Sequence, residues 1–180
     1  CTPAAPIVLA PRREPSPLAQ AVAPRCRDVG LFLPYMPLHH VLLKRLGRPI
    51  VATSANRSGE PMIFEDGQAL AELRDIADAC LSHDRRIHRP ADDSLARTID
   101  DAPQTLRLGR GLAPHVIPIR LTSAPHGPSI IALGGHLKVA PVLLAGNHAT
   151  LGPHVGDLSS LAAEQALMRV VEDLERLHGN

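Results

Sequence analysis

The stretch "VATSANRSGEPM", residues 51–62, brings Thr53, Ser54, Asn56 and Ser58 close together, with Gly59 and Pro61 directly after them. Short hydroxyl and amide side chains beside freed backbone N–H groups make a compact donor set for phosphate or carboxylate oxygens. The same residue types also build ordinary turns, and on these residues alone both readings stay open. The position suits a ligand cradle. Ile50-Val51-Ala52 reads as a strand, and open α/β sheets hold ligands at the carboxyl ends of their strands.

Other chemistries fare less well. Ser54 as an acyl nucleophile would need a histidine base, and His39 or His40 could serve, but nothing nearby resembles a nucleophile elbow. The Walker A, GxGxxG, GxSxG and HExxH patterns are all missing. His39 and His40 are successive on a predicted helix and do not share a face, so at most one enters a pocket. His83 and His88 flank a pair of arginines, a weak metal pattern. Asp92-Asp93-Ser94 could hold Mg²⁺ through carboxylate oxygens or be a plain acidic turn. Gly134-Gly135 with Lys138 resembles a glycine hairpin that lets a phosphate approach the backbone. No metal ligand set is assigned.

Composition narrows the function classes. The chain has 180 residues and a net charge of +1, which argues against a nucleic-acid surface built on bulk charge. Phe32, Phe64 and Tyr35 are its only aromatics, so base stacking has little to use and the core must be aliphatic. Arg85, Arg86, Arg89, Arg97, Arg107 and Arg110 cluster in one region, which suits either a solvated face or an anionic ligand. Cys1, Cys26 and Cys80 form no CxxC pair, so neither a zinc site nor a disulfide framework is implied. No apolar run approaches a membrane span and no signal peptide is visible, so a cytoplasmic location is expected. A chain that starts on Cys and runs almost at once into a strand reads as a piece of a longer protein.

The elements that must position these residues follow from periodicity. Ile7-Val8-Leu9-Ala10 and residues 29–33 read as strands, and "PLHHVLLKRLG" as a helix opened by Pro37 and stopped by Gly47. After Ile50-Val51-Ala52, a helix is predicted from Asp66 to about Leu81, then strands at 95–99 and 105–108. This is the α/β rhythm. The prolines at 114, 118, 125 and 128 mark 111–128 as a linker. Beyond it, "SIIALGGHLKVAPVLLAGNHATL" reads as a β-meander, and a last helix starts near 157–160 with Leu167, Val170, Val171, Leu174 and Leu177 on one side.

Joined in order, "LPYMPLHHVLL", "RPIVATSANRSGEPM", "HDRRIHRPADDSLAR" and "LRLGRGLAP" resemble the C-terminal half of the YrdC-like domain of HypF-type carbamoyltransferases. "SIIALGGHLK" with "GPHVGDLSSLAAEQAL" resembles the start of that family's TsaD-like domain. The resemblance implies an α/β fold: a partial YrdC-like open twisted sheet with helices at 1–124, then a β-meander plus helix from an actin-like (ASKHA) domain at 125–180. It implies a pocket for ATP and an acyl-adenylate lined by His39, Thr53, Ser54, Asn56, Ser58, Asp93, Ser94 and Arg107, with Ser54 and Asn56 nearest the chemistry.

The implied reaction makes carbamoyl-adenylate from carbamoyl phosphate and ATP, with Mg²⁺, and passes the carbamoyl group to the C-terminal cysteine of a HypE-like acceptor in [NiFe]-hydrogenase maturation. Zinc belongs to parts of the family protein absent here, and neither nucleic acid nor membrane is an expected partner. A fragment of a Sua5/YrdC-type threonylcarbamoyl-adenylate synthase and an inactive nucleotide-binding remnant are the alternatives. The family's basic phosphate ligands lie in the absent first half, so this chain alone is expected to bind ATP weakly or not at all. It departs from the family at Ala5, usually Arg, at Pro90-Ala91, usually Arg-Val, and at Val139, usually Asn.

Overall fold

The computed structural model describes residues 3–120 and 127–179. It divides into two compact units. The first holds residues up to Thr53 together with Asp93–Leu112, and the second holds Ser54–Asp92 together with residues from Ala113 onward.

In the first unit, β1 (Ile7–Pro11) pairs antiparallel with β2 (Asp28–Leu31). The helix α1 (Pro37–Leu46) follows. Proline supplies its first helical position, where no N–H is missed, and Gly47 ends it in the left-handed conformation at φ +64°. The Gly47 N–H donates to Leu43 O at 2.9 Å. The face carrying Leu38, Val41, Leu42 and Leu46 is on one side as the periodicity requires, yet all four are 41–51% exposed.

The second unit begins with α2 (Asp66–Glu72). The first unit then resumes with β3 (Leu95–Ile99) and β4 (Ala102–Arg107), an antiparallel hairpin, and β3 runs parallel to β1. The strand order is β2-β1-β3-β4. Asp100 and Asp101 form the hairpin's two-residue loop with φ of +49° and +58°. Positive φ at both central positions is what a type I′ turn needs, and Asp tolerates it better than most residues.

The second sheet is entirely antiparallel: β5 (His115–Pro118), β6 (Ile130–Ala132), β7 (Val142–Ala145) and β8 (His148–Leu151) in the order β5-β8-β7-β6. Gly146, at φ +55°, opens the tight turn between β7 and β8. The last helix, α3 (Leu161–Leu177), is capped by Ser160, whose Oγ accepts from Ala163 N at 3.3 Å. Its residues Ala163, Leu167, Val171 and Leu174 are buried, and Leu167 and Val171 pack with Val139, Ile131, Val155 and Leu158. Each large aliphatic buried there contributes about 1.5–3 kcal/mol. Gly152 lets α3 come close: a Cβ there would meet Val170 Cγ1 at 3.0 Å and Pro141 O at 3.1 Å. Leu177, expected on the buried side, is exposed.

Three expectations are corrected. Ile50-Val51-Ala52 forms no strand; it joins no ladder among the described residues, and Val51 is 76% exposed. The helix expected to reach Leu81 stops at Glu72, because Leu70, Ile76 and Leu81 stay exposed and no apolar packing sustains further turns. The 111–128 linker contains β5, which the register places against β8 from His115↔Leu151 to Pro118↔His148. Prolines at its end are tolerated because β5 is an edge strand. The expected boundary at 124/125 lies outside the described residues.

Candidate functional site

In the first unit the site residues gather around Arg110. Its Nε donates to Asp93 Oδ1 at 2.7 Å, Nη1 to Ala4 O at 3.0 Å and Nη2 to Ala5 O at 2.9 Å. The guanidinium carbon lies 3.4 Å from the Tyr35 ring centroid and 6.0 Å from that of Phe32. Tyr35 in turn meets His39 edge-on, with centroids 4.7 Å apart. Stacking on a planar cation while satisfying a carboxylate is a task lysine cannot perform. The next residue must be glycine: Gly111 sits at φ +82°, and a Cβ there would come within 2.6 Å of Ala4 Cα.

The local sequence explains the convergence. Asp93 and Arg110 form a parallel bridge just before β3 and just after β4, so the hairpin brings them together. Ser94 is fully buried; its Oγ donates to Arg110 O at 3.0 Å and accepts from Gly109 N at 2.9 Å. Arg107 donates from Nε to Asp93 O at 3.0 Å, while its Nη groups carry no protein hydrogen bond among the described residues. Burial raises the Tyr35 pKa above its ordinary 10, Asp93 adds to that, and Arg110 opposes both. His39 is half-buried whereas His40 is exposed, as successive helical positions require. Thr53, also in this unit, is exposed.

The second unit carries Ser54, Asn56 and Ser58 on a knitted loop. Ser54 Oγ donates to Asn56 Oδ1, and Asn56 Nδ2 donates to Arg57 O at 3.0 Å and Glu60 O at 2.9 Å. Ile63 N donates to Ala55 O at 2.9 Å, closing the loop, and Gly59 takes φ +84° within it. Asn56 is thus a loop organiser. Ser58 is exposed, with no hydrogen bond among the described residues.

The arginines expected as one cluster have separate tasks. Arg107 and Arg110 hold Asp93, Arg97 pairs with Asp28, and Arg89 pairs with Asp173. Arg85 and Arg86 line an open concavity of about 420 Å³ with Phe64, Asp66, His83 and Ile87. His83 Nδ1 accepts from the Arg85 N–H at 3.2 Å. In the Gly-Gly segment, Lys138 adopts φ +55° and donates to Asp157 from both its backbone N–H, at 2.8 Å, and Nζ. Those bonds hold the Asp157 carboxyl below the usual carboxylate range. Among the described residues, no three His, Cys, Asp or Glu side chains are arranged to hold a metal ion, and no helix is long and apolar enough to cross a membrane.

Comparison with known proteins uses both parts of the chain. Residues 1–109 match the Sua5/YciO/YrdC family model, described as telomere recombination, and residues 125–180 match the HypF Kae1-like domain. The chain belongs to the HypF carbamoyltransferase family. Carbamoyltransferase HypF of Synechocystis is 40% identical over 175 residues, covering 97% of this chain and 22% of that protein. HypF of Rhodobacter capsulatus is 40% identical over 179 residues, covering 97% and 23%. Among solved structures, full-length HypF in its phosphate- and nucleotide-bound form aligns with a TM-score of 0.86 at 33% identity, over 96% of this chain and 27% of that one. HypF of T. kodakarensis aligns with the same TM-score at 30% identity, over 94% and 22%. The chain therefore spans less than a quarter of the length of these two bacterial relatives.

Sequence reasoning gave Arg110 no role of its own beyond the arginine cluster, and it counted Tyr35 among the aromatics without giving it a place in the site. The usable signal for Arg110 was its place between Gly109 and Gly111, which marks a backbone too crowded for any other residue after it.

Proposed function

We propose that this segment supplies nucleotide contacts for making carbamoyl-adenylate from carbamoyl phosphate and ATP in the cytoplasm. Water cleaves carbamoyl phosphate to carbamate and inorganic phosphate; a carbamate oxygen then attacks the α-phosphorus of ATP, the bond to the β-phosphate oxygen breaks, and pyrophosphate leaves. The thiol of the C-terminal cysteine of a HypE-like acceptor then takes the carbamoyl group, and AMP leaves, during [NiFe]-hydrogenase maturation. The observation that carries this reading is the knitted Ser-Ala-Asn loop. Its Ser54 and Asn56 side chains fix one another and the backbone at 57 and 60, so Ser54 and the loop amides are held in place before any nucleotide arrives, with Ser58 beside them.

Thr53, His39 and Arg107 are further ligands in this reading, with Arg107 using its Nη groups on phosphate. Asp93 and Ser94 form the wall behind it: they hold Arg107 and the 109–110 turn through the bonds described above. Phosphoryl chemistry of this kind depends on positioning and charge neutralisation more than on a protein nucleophile. Mg²⁺ enters with ATP as part of the substrate. Among the described residues, no three His, Cys, Asp or Glu side chains are arranged to hold it. The domains are read as YrdC-like to residue 124 and TsaD-like from 125. The run-on into a HypF Kae1-like segment favours this function over a Sua5-type synthase.

Carbamoyl-phosphate-dependent ATP–pyrophosphate exchange in the full-length protein tests the assignment. Ser54→Ala should slow exchange without unfolding the protein, since a hydrogen bond to a charged ligand is worth about 1.5–3 kcal/mol. Asn56→Ala should slow it by releasing the bonds that hold the loop. Unchanged exchange in both variants would remove the loop from the nucleotide site.

A further inference from the structure

Two side-chain contacts tie residues 54–92 to α3, one from the Ser-Ala-Asn loop and one from the loop after Arg86, and the proposed chemistry uses neither. Ser160, the N-cap of α3, donates from Oγ to Glu60 Oε2 at 2.9 Å. Glu60 belongs to the loop itself, because its carbonyl receives the Asn56 amide. Three turns further along α3, Asp173 accepts from Arg89 through both carboxylate oxygens, with Nη2 to Oδ1 at 2.7 Å. Arg89 lies in the loop that follows the Arg85-Arg86 pair, and Asp173 is only 25% exposed.

The asymmetry between the two partners gives the contacts meaning. From Ser54 to Asp92 not one described residue is buried, so this segment has no core of its own. The helix α3 is the reverse: four of its side chains are buried, and its cap is made. Fork-to-carboxylate pairing is directional, so a rigid helix on one side fixes the loop on the other. The helix lies in the stretch that matches the Kae1-like domain, while Glu60 and Arg89 lie in the stretch that matches the YrdC family.

We infer that α3 is the frame that positions the Ser-Ala-Asn loop, with Glu60, Arg89 and Asp173 as positioning residues. The nucleotide loop of one module is thereby set by a helix of the next. This rests on the reading that the loop contacts the nucleotide. It does not depend on which residue touches the reacting atoms.

The test is a charge swap in the full-length protein, read by ATP–pyrophosphate exchange. Arg89→Asp and Asp173→Arg should each raise the KM for ATP about tenfold with kcat changed less than about threefold, and the double variant should recover most of the loss. Glu60→Ala, which leaves the Ser160 cap of α3 intact, should shift KM in the same direction. Active wild-type protein with unmoved KM in the single variants, or no recovery in the swap, would overturn the inference.

Absence of exchange in the wild type would instead strike the proposed function. The positioning claim then stands or falls on hydrogen exchange in the 180-residue chain. There, Glu60→Ala should speed exchange of amides 54–63 and Asp173→Arg that of amides 82–92, with α3 unchanged. Unaltered protection in both loops would overturn it.

Discussion

Arg110 shows how one side chain can tie several elements of a site together. Its donors reach Asp93, Ala4 and Ala5, and its flat face covers Tyr35. Lysine keeps the charge but loses the fork and the stacking, so Arg110→Lys should lower the stability of the first unit by about 1.5–3 kcal/mol. Urea unfolding followed by a first-unit probe checks this, and an unchanged midpoint would mean the bonds contribute nothing net. From sequence, Arg110 was one arginine among six. What distinguishes it is spatial: the β3–β4 hairpin returns it to Asp93, and no spacing rule reports that. For His39 and His40, helix geometry said only that they do not share a face; the choice of His39 came from the family resemblance. Ser94 was named as a site residue from the family resemblance alone; its burial and its two backbone bonds could not be read from a serine beside two aspartates.

At the scale of elements, the caps and turns were the most legible features. Pro37, Gly47, Ser160 and the Asp100-Asp101 and Gly146-Asn147 turns all act through local backbone chemistry that a sequence carries in full. Elements whose existence depends on a distant partner were misread in both directions. Ile50-Val51-Ala52 has strand composition but pairs with no strand among the described residues, while the proline-flanked 115–118 finds β8 and becomes a strand. The helix α2 keeps its start and loses its second half for the same reason.

The clasp on α3 adds a pH dependence. Hydrogen bonds from Arg89 come first in holding the Asp173 carboxyl below its ordinary 3.8; partial burial opposes them, and the charges of Arg89 and Arg176 add to them. A carboxyl whose folded pKa is depressed stabilises the fold above its unfolded value and loses that contribution as pH falls through the folded one. Glu172 faces Arg176 on the same helix and does not reverse the sign. Amide protection in residues 82–92 should therefore be constant above about pH 5 and fall in more acidic solution, and Asp173→Asn should abolish the acid step. A step that survives in Asp173→Asn belongs to another group.

At the scale of the whole molecule, each unit leaves apolar surface in water. In the first, the α1 residues Leu38, Val41, Leu42 and Leu46 are exposed along with Leu31 and Leu33, and β2 and β4 are open sheet edges. Contiguous apolar surface and unpaired edges favour association. The 180-residue chain should self-associate with rising concentration in light scattering, and Val41→Ser with Leu42→Ser should reduce it. A monomer at all concentrations would show that this face is adequately solvated.

The central claim is that the Ser-Ala-Asn loop serves adenylate formation, and the position of ATP cleavage tests it most directly. The full-length protein, given ATP and carbamoyl phosphate and followed by mass spectrometry, should produce carbamoyl-adenylate with an equal amount of pyrophosphate, and Asn56→Ala should lower both together. Formation of ADP and inorganic phosphate, with no adenylate and no response to Asn56→Ala, would contradict the account.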